Sequence, residues 1–223
     1  MRFLVANLLH PDNEVDFKSL DDIVPDIYAA TPKKLDSLDS PRFLKSHEYF
    51  DPRYCRTIYI VRDPRDVAIS YYFHHLKCNL LNDQYPISRF VENFVTGALD
   101  PFGTWHEHVG SWLGARRHHP NFLLLRYEDI LSDTKSALSK ISSHIQLEDA
   151  DEDIVAHAVQ ESSFNNMRRK EKEIETQWKK KTRIDIPFVR KGAHQQWKTQ
   201  LPSESISLIE SQFAQYMKEL EYL

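Results

Sequence analysis

Tyr59-Ile-Val-Arg-Asp-Pro-Arg-Asp-Val-Ala-Ile-Ser-Tyr-Tyr72 reads as a strand running straight into a helix whose first turn can hold an anion. Thr57 to Val61 is short, β-branched and apolar, the pattern of a strand buried on both faces. Asp63 fits the N-cap and Pro64 the first helical position, so the spacing predicts a helix over Pro64 to Lys77. Arg62 then stands at the carboxyl end of the strand, beside the free N–H groups of the new helix. In open α/β sheets that crevice takes ligands, and a helix N-terminus with an added arginine suits phosphate. On these residues alone, a structural strand-helix unit with a solvated arginine is equally open.

Outward from that unit the pattern alternates. Arg42 to His47 and Asn121 to Arg126 are further strand candidates. Met1 to Leu9, Ile87 to Thr96, Thr104 to His118, Ile130 to Ile145, Asp153 to Glu161 and Ser203 to Tyr222 have helical spacing or caps. Strands interleaved with helices predict an α/β fold with a parallel sheet flanked by helices. Internal repeats and long Gly- or Ser-rich linkers are absent, so residues 1–223 are expected to form a single domain.

Composition narrows the class. Hydrophobic residues at 41% and charged residues at 28% are globular values. A net charge of −4 argues against a nucleic-acid partner. From Asn165 to Lys198, eleven Lys or Arg face four Asp or Glu, which suits a polyanionic ligand. A solvated helix face is nevertheless the ordinary use of runs such as Arg168-Arg-Lys and Lys179-Lys-Lys. Cys55 and Cys78 lack disulfide-scaffold or metal spacing and are expected as reduced thiols in the cytoplasm. Apolar runs are too short to span a membrane, and Met1 to Leu9 lacks the cleavage site of a signal peptide. His106-Glu-His108, His74-His75 and His118-His119 fall outside zinc-site spacing, so no metal is expected. With five glycines in all, neither a Gly-x-Gly-x-x-Gly nor a Walker-type loop exists.

Phe43-Leu-Lys-Ser-His47 carries the strongest catalytic signal. On a strand, Lys45 and His47 point to one face. A histidine can remove a proton from an acceptor hydroxyl or amine, and a neighbouring lysine can neutralise charge on a leaving oxygen. With eleven histidines present, a lone Lys-x-His is by itself more often structural.

Arg62-Asp-Pro-Arg-Asp-Val-Ala-Ile-Ser-Tyr-Tyr72 resembles the 3'-phosphate-binding segment of cytosolic-type sulfotransferases, which use 3'-phosphoadenosine-5'-phosphosulfate (PAPS). Phe188-Val-Arg-Lys-Gly-Ala-His-Gln-Gln-Trp-Lys198 resembles that family's second 3'-phosphate segment, and the two occur in the family's order. The resemblance implies a P-loop-NTPase-like sulfotransferase fold and a PAPS cosubstrate used without metal. It implies sulfuryl transfer to a hydroxyl or amine of a small-molecule acceptor, with no membrane partner. It assigns His47 as general base and Lys45 as its cationic neighbour, because Lys-Ser-His is similar to the family's Lys-Thr-His. Arg62 and Ser70 would hold the 3'-phosphate from one side, and Arg190, Lys191 and the backbone of Gly192 from the other. Leu125-Arg-Tyr-Glu-Asp129 resembles the segment whose tyrosine meets adenine, here Tyr127. Ser162-Ser-Phe-Asn-Asn-Met-Arg168 resembles the segment that sets a hydroxyl and a ring at the base, here Ser162 and Phe164.

The resemblance has departures. Gln195-Gln196 stands where the family has Gly-Asp, and Pro202-Ser203 interrupts its dimer motif, so the oligomeric state stays open. Family members carry near the N-terminus a strand and a Pro-Lys-Ser-Gly-Thr-Thr-Trp-type loop for the 5'-phosphosulfate, whereas Met1 to Leu9 resembles the helix after that loop. The expectation is therefore an N-terminally truncated sulfotransferase fold. A catalytically impaired module that binds 3'-phosphoadenosine nucleotides without turnover is the alternative, and a kinase-like phosphotransferase ranks below both for want of a Walker lysine. The nucleotide sequence upstream of the Met1 codon should continue in frame into an apolar strand and a Lys-Ser/Gly-rich loop, or its remnant. Robust PAPS turnover by the 223 residues alone would contradict this expectation.

Overall fold

Thr57–Val61 forms strand β1, and Phe122–Arg126 forms β2 beside it. A computed structural model describes residues 1–147, 150–173 and 182–223. The two strands run parallel, in a register from Thr57 against Phe122 to Val61 against Arg126. Among the described residues they make up the sheet. The helices are α1 (Arg2–Leu9), α2 (Phe17–Ile23), α3 (Pro32–Asp36), α4 (Pro64–Lys77), α5 (Ile87–Thr96), α6 (Trp105–Arg116), α7 (Tyr127–Ser132), α8 (Thr134–Ile145), α9 (Glu152–Glu161), α10 (Phe164–Glu173), α11 (Trp197–Gln200) and α12 (Ser203–Glu219). Helix-rich architecture around a parallel sheet agrees with the α/β class read from the sequence. The run Lys179-Lys-Lys lies outside the described residues.

The chain gathers into two compact units, one from residues 1–47 and 132–175, the other from residues 48–131 and 176–223. In the first, α1 packs against α9 and α8 against α9. The buried face of α1 carries Phe3, Leu4, Val5, Ala6 and Leu8, and α9 contributes Val155 and Ala158. In the second, α12 turns Ile209, Phe213 and Met217 inward at helical spacing, onto Ala68 and Ile69 of α4 and Val91 and Phe94 of α5. A separate cluster joins Tyr59, Val61 and Phe122 of the strands to Val109, Trp112 and Leu113 of α6. These two cores pin β1 and α4, and therefore fix where Arg62 emerges between them.

Caps explain the helix starts. The Asp63 carboxylate accepts from Arg65 N at 2.9 Å with Pro64 at the first position, as the sequence predicts. At α6, Thr104 and Glu107 form a reciprocal box, with Glu107 N donating to Thr104 Oγ1 at 3.1 Å and Thr104 N donating to Glu107 Oε2 at 3.0 Å.

Two expected elements differ. Arg42 to His47 is not a strand: Lys45 N donates to Pro25 O at 2.9 Å and Ile27 N to Lys45 O at 3.1 Å, a single parallel bridge. The facing segment cannot extend the ladder, because Pro25 lacks an N–H and the chain turns after Asp26, whose carbonyl accepts from Ala29 N and Ala30 N. The helix predicted over Ile130 to Ile145 is split, α7 starting earlier at Tyr127 and α8 later at Thr134. Asp133 is the cause, since its side chain accepts from Ser136 N at 2.9 Å and opens α8 as an N-cap. Among the described residues no helix is long and apolar enough to cross a membrane.

Candidate nucleotide and transfer site

Arg62 leaves β1 at its carboxyl end and is held on all sides. Trp105 Nε1 donates to the Arg62 carbonyl at 3.2 Å, and the guanidinium lies 4.4 Å from the centre of the Tyr127 ring. Arg62 Nη2 donates to Ala193 O at 3.0 Å and stands 3.7 Å from Asp66 Oδ2. Arg62 Nε is buried and has no hydrogen-bond partner among the described residues. A buried donor without an acceptor costs free energy, so this N–H suits an acceptor supplied by a ligand.

The Phe188 to Lys198 segment reaches the same place through Asp66. Its carboxylate, fully shielded from solvent, accepts from Gln195 N at 2.6 Å and Trp197 N at 3.1 Å. Those bonds fasten the turn after Gly192, where Gly192 and Gln195 both have φ of 57°. Glycine adopts that left-handed geometry without strain; Gln195 occupies it at a cost. Arg190 donates from Nη2 to Gln196 Oε1 at 2.6 Å and lies 4.4 Å from the Phe73 ring centre. Burial first, and then the Arg62 guanidinium, lower its pKa from the ordinary value, with Asp66 opposing. Two guanidiniums that destabilise one another form a field that an anion relieves. Lys191 and Gly192 are exposed beside them. Ser70, also exposed, sits one turn beyond Asp66 on α4, on the face that Asp66 occupies.

Lys45, His47, Ser162 and Phe164 belong to the other unit. Lys45 Nζ is bound to Asp26 Oδ2 at 2.6 Å. Burial pushes the Asp26 carboxyl up, but the Lys45 ammonium and the Tyr28 N–H outweigh it and hold the group below the usual carboxylate range. His47 is exposed, with its ring stacked on Tyr28 at 6.1 Å between centroids. Ser162 Oγ accepts from Asn7 Nδ2 at 3.2 Å, and Phe164, the first residue of α10, is exposed. The structure thus brings Arg62, Tyr127, Arg190, Lys191 and Gly192 together in one unit and Lys45 and His47 together in the other.

The chemistry of the first group fits a phosphate. It offers two guanidiniums, a lysine, a left-handed glycine and one buried unpaired N–H. Sequence reasoning passed over Asp66, Trp105, Asp26 and Tyr28. Asp66 carried a signal, its four-residue spacing from Arg62 across the start of α4. Asp26 and Tyr28 carried none, because they meet Lys45 and His47 nineteen residues away in sequence.

Comparison with known proteins gives a consistent family. A family model described as "Sulfotransferase domain" matches residues 7–221. The rat protein "Sulfotransferase 1 family member D1" is 29% identical over 194 residues, covering 83% of this chain and 65% of its own length. Human "Sulfotransferase 1E1" is 29% identical over 196 residues, covering 84% and 66%. The chain therefore spans about two thirds of the length of these relatives. A crystal structure of retinol dehydratase in complex with androsterone and the inactive cofactor PAP superposes with a TM-score of 0.72, at 26% identity, over 86% of this chain and 58% of that one.

Asp66→Ala should cost about 3–5 kcal/mol of stability, the scale of breaking a buried charge pair, because two backbone donors and Arg62 lose their acceptor. Chemical denaturation of the parent and the variant measures this, and a loss below about 1 kcal/mol would mean that the Gln195–Trp197 turn is held by other contacts.

Proposed function

Because the chain belongs to the sulfotransferase domain family, we propose that it transfers a sulfuryl group from PAPS to a hydroxyl or amine of a small-molecule acceptor. The observation that carries this is the pairing of Arg62 and Arg190 at the end of β1, with the Arg62 Nε donor buried and unpaired. PAPS supplies the activated sulfuryl group and departs as adenosine 3',5'-bisphosphate, the PAP that the retinol dehydratase structure is said to contain. Arg62, Ser70, Arg190, Lys191 and the Gly192 backbone hold the 3'-phosphate in this reading. Tyr127, Ser162 and Phe164 receive the adenine. No metal is needed, since guanidinium and ammonium groups carry the charge.

His47 takes the proton from the attacking hydroxyl or amine as the new bond to sulfur forms. Lys45 neutralises charge on the oxygen released as the bridging bond to sulfur breaks, the division of labour that positioning-dominated group transfer requires. That residues 1–223 form one sulfotransferase-like domain is part of the same proposal, supported by a family match that runs through both compact units. So is a cytoplasmic location, supported by the relatives' family and the two unpaired cysteines.

Arg62→Ala or Arg190→Ala should weaken binding of adenosine 3',5'-bisphosphate by about 1.5–3 kcal/mol, the range for a hydrogen bond to a charged group. Calorimetry with equal affinity for parent and variants would overturn the assignment. In a form supplied with a phosphosulfate loop of the family's type, His47→Ala should lower transfer of labelled sulfate at least about a hundredfold, as loss of a general base does, with nucleotide affinity nearly unchanged. Turnover retained within about tenfold would remove His47 from the mechanism.

A further inference from the structure

Lys45 and His47 lie on a segment that fails to become a strand, yet a short template faces them residue for residue. The parallel bridge sets Asp26 opposite Lys45, and Tyr28, in the turn that follows, meets His47. Each side chain of the template engages its counterpart. Asp26 Oδ2 holds Lys45 Nζ at 2.6 Å, while Asp26 Oδ1 accepts from Tyr28 N at 3.1 Å, so the carboxylate is itself fixed. Tyr28 Oη accepts the His47 backbone N–H at 3.0 Å, and the two rings lie nearly parallel at 13°. The Tyr28 ring also lies 5.9 Å from Lys45 Nζ, so one ring faces both residues.

We propose that Asp26 and Tyr28 are positioning residues that preset Lys45 and His47 for transfer, a role that rests on the transfer reading given above. Side chains on an irregular segment would otherwise sample many rotamers, and a positioned general base loses its advantage when it wanders. An ammonium carries three donors and Asp26 occupies one, which aims the others while leaving them for oxygens of the reacting group. Asp26 also neutralises Lys45 before any substrate arrives. The lysine charge therefore becomes available as its bonding shifts toward the leaving oxygen, where charge develops.

The template can be tested on the full chain without turnover. In proton-detected NMR, the Lys45 ammonium signal should persist in the parent and in Asp26→Glu, which retains a carboxylate, and broaden beyond detection in Asp26→Asn. Tyr28→Phe should speed deuterium exchange at the His47 amide by about tenfold, the rate equivalent of about one lost hydrogen bond, with amides of α1 as the internal control. Tyr28→Phe removes a single oxygen, so the hydroxyl remains testable even if Asp26→Asn loosens the unit. In the transfer assay of a form supplied with a phosphosulfate loop, Asp26→Asn should lower kcat by about tenfold with KM for the nucleotide unchanged, and Asp26→Glu should recover part of the loss. An unchanged Lys45 signal in Asp26→Asn together with unchanged His47 exchange in Tyr28→Phe would overturn the template. A kcat within about twofold of the parent for both variants would overturn its role in transfer. A loop-bearing parent without turnover would overturn the transfer reading alone, and the NMR comparison would still decide the template.

Discussion

The buried Asp66 carboxylate is the contact on which the arrangement of the two basic segments depends. It projects from the first turn of α4, yet its partners are Gln195 N and Trp197 N, 129 and 131 residues later, and the guanidinium of Arg62. A carboxylate shut away from water is tolerable only with such company, two amide donors and a cation. The consequence is geometric. The turn carrying Arg190, Lys191 and Gly192 cannot drift from Arg62 without stripping Asp66 of its donors, so one buried charge fixes the spacing between two basic segments far apart in sequence.

Arg65 repeats the device one residue earlier, on the face of α4 turned toward α12. It forms a bidentate pair with Asp63, at 2.9 Å from Nε to Oδ1 and 2.7 Å from Nη2 to Oδ2, and binds Glu210 of α12 and the Tyr222 carbonyl. Its guanidinium lies 3.8 Å from the centre of the Trp197 ring. Burial would lower the Arg65 pKa, but Asp63 and Glu210 outweigh it and raise the value, which marks a cation held by its neighbours. Arg62 and Arg65, three residues apart, thus divide their work. Arg65 is saturated by carboxylates and braces the helix; Arg62 keeps a buried donor unused and faces the basic turn.

Local chemistry made part of this legible. The β-branched run Thr57–Val61 and the Asp63-Pro64 cap specify a strand and a helix start without help from distant residues, and both form where the pattern puts them. Arg42 to His47 has no β-branched residue, and a strand also needs a neighbour with donors and acceptors to spare, which Pro25 and the turn after Asp26 deny it. Asp133 misled in the other direction: Ile130 and Leu131 before it and Ala137 and Leu138 after it keep a helical period, while its own side chain, capping Ser136, interrupts the helix. The basic residues of the site were visible as motifs. Their ties were not, because Asp66 to Gln195, Arg62 to Ala193 and Lys45 to Asp26 are contacts between segments that sequence spacing does not relate.

Placement of the cations follows one electrostatic logic. Arg62 and Arg190 stand close enough to raise one another's energy, and each is steadied by a π-face, Tyr127 for Arg62 and Phe73 for Arg190, instead of a carboxylate of its own. Asp66 is shared and spends most of its capacity on backbone amides, so it cannot neutralise both. Net positive potential therefore persists where the folded chain has already met the cost of assembling it, and a dianion entering there gains from groups that need no reorganisation. Lys45 follows the opposite course, with a carboxylate of its own at 2.6 Å. A cation that only shares a carboxylate suits a group that must grip an anion from the moment of encounter. A paired one suits a group whose charge is wanted only when new charge develops on a leaving oxygen, and under the proposed transfer reading the contrast between Arg62 and Lys45 separates binding from transfer.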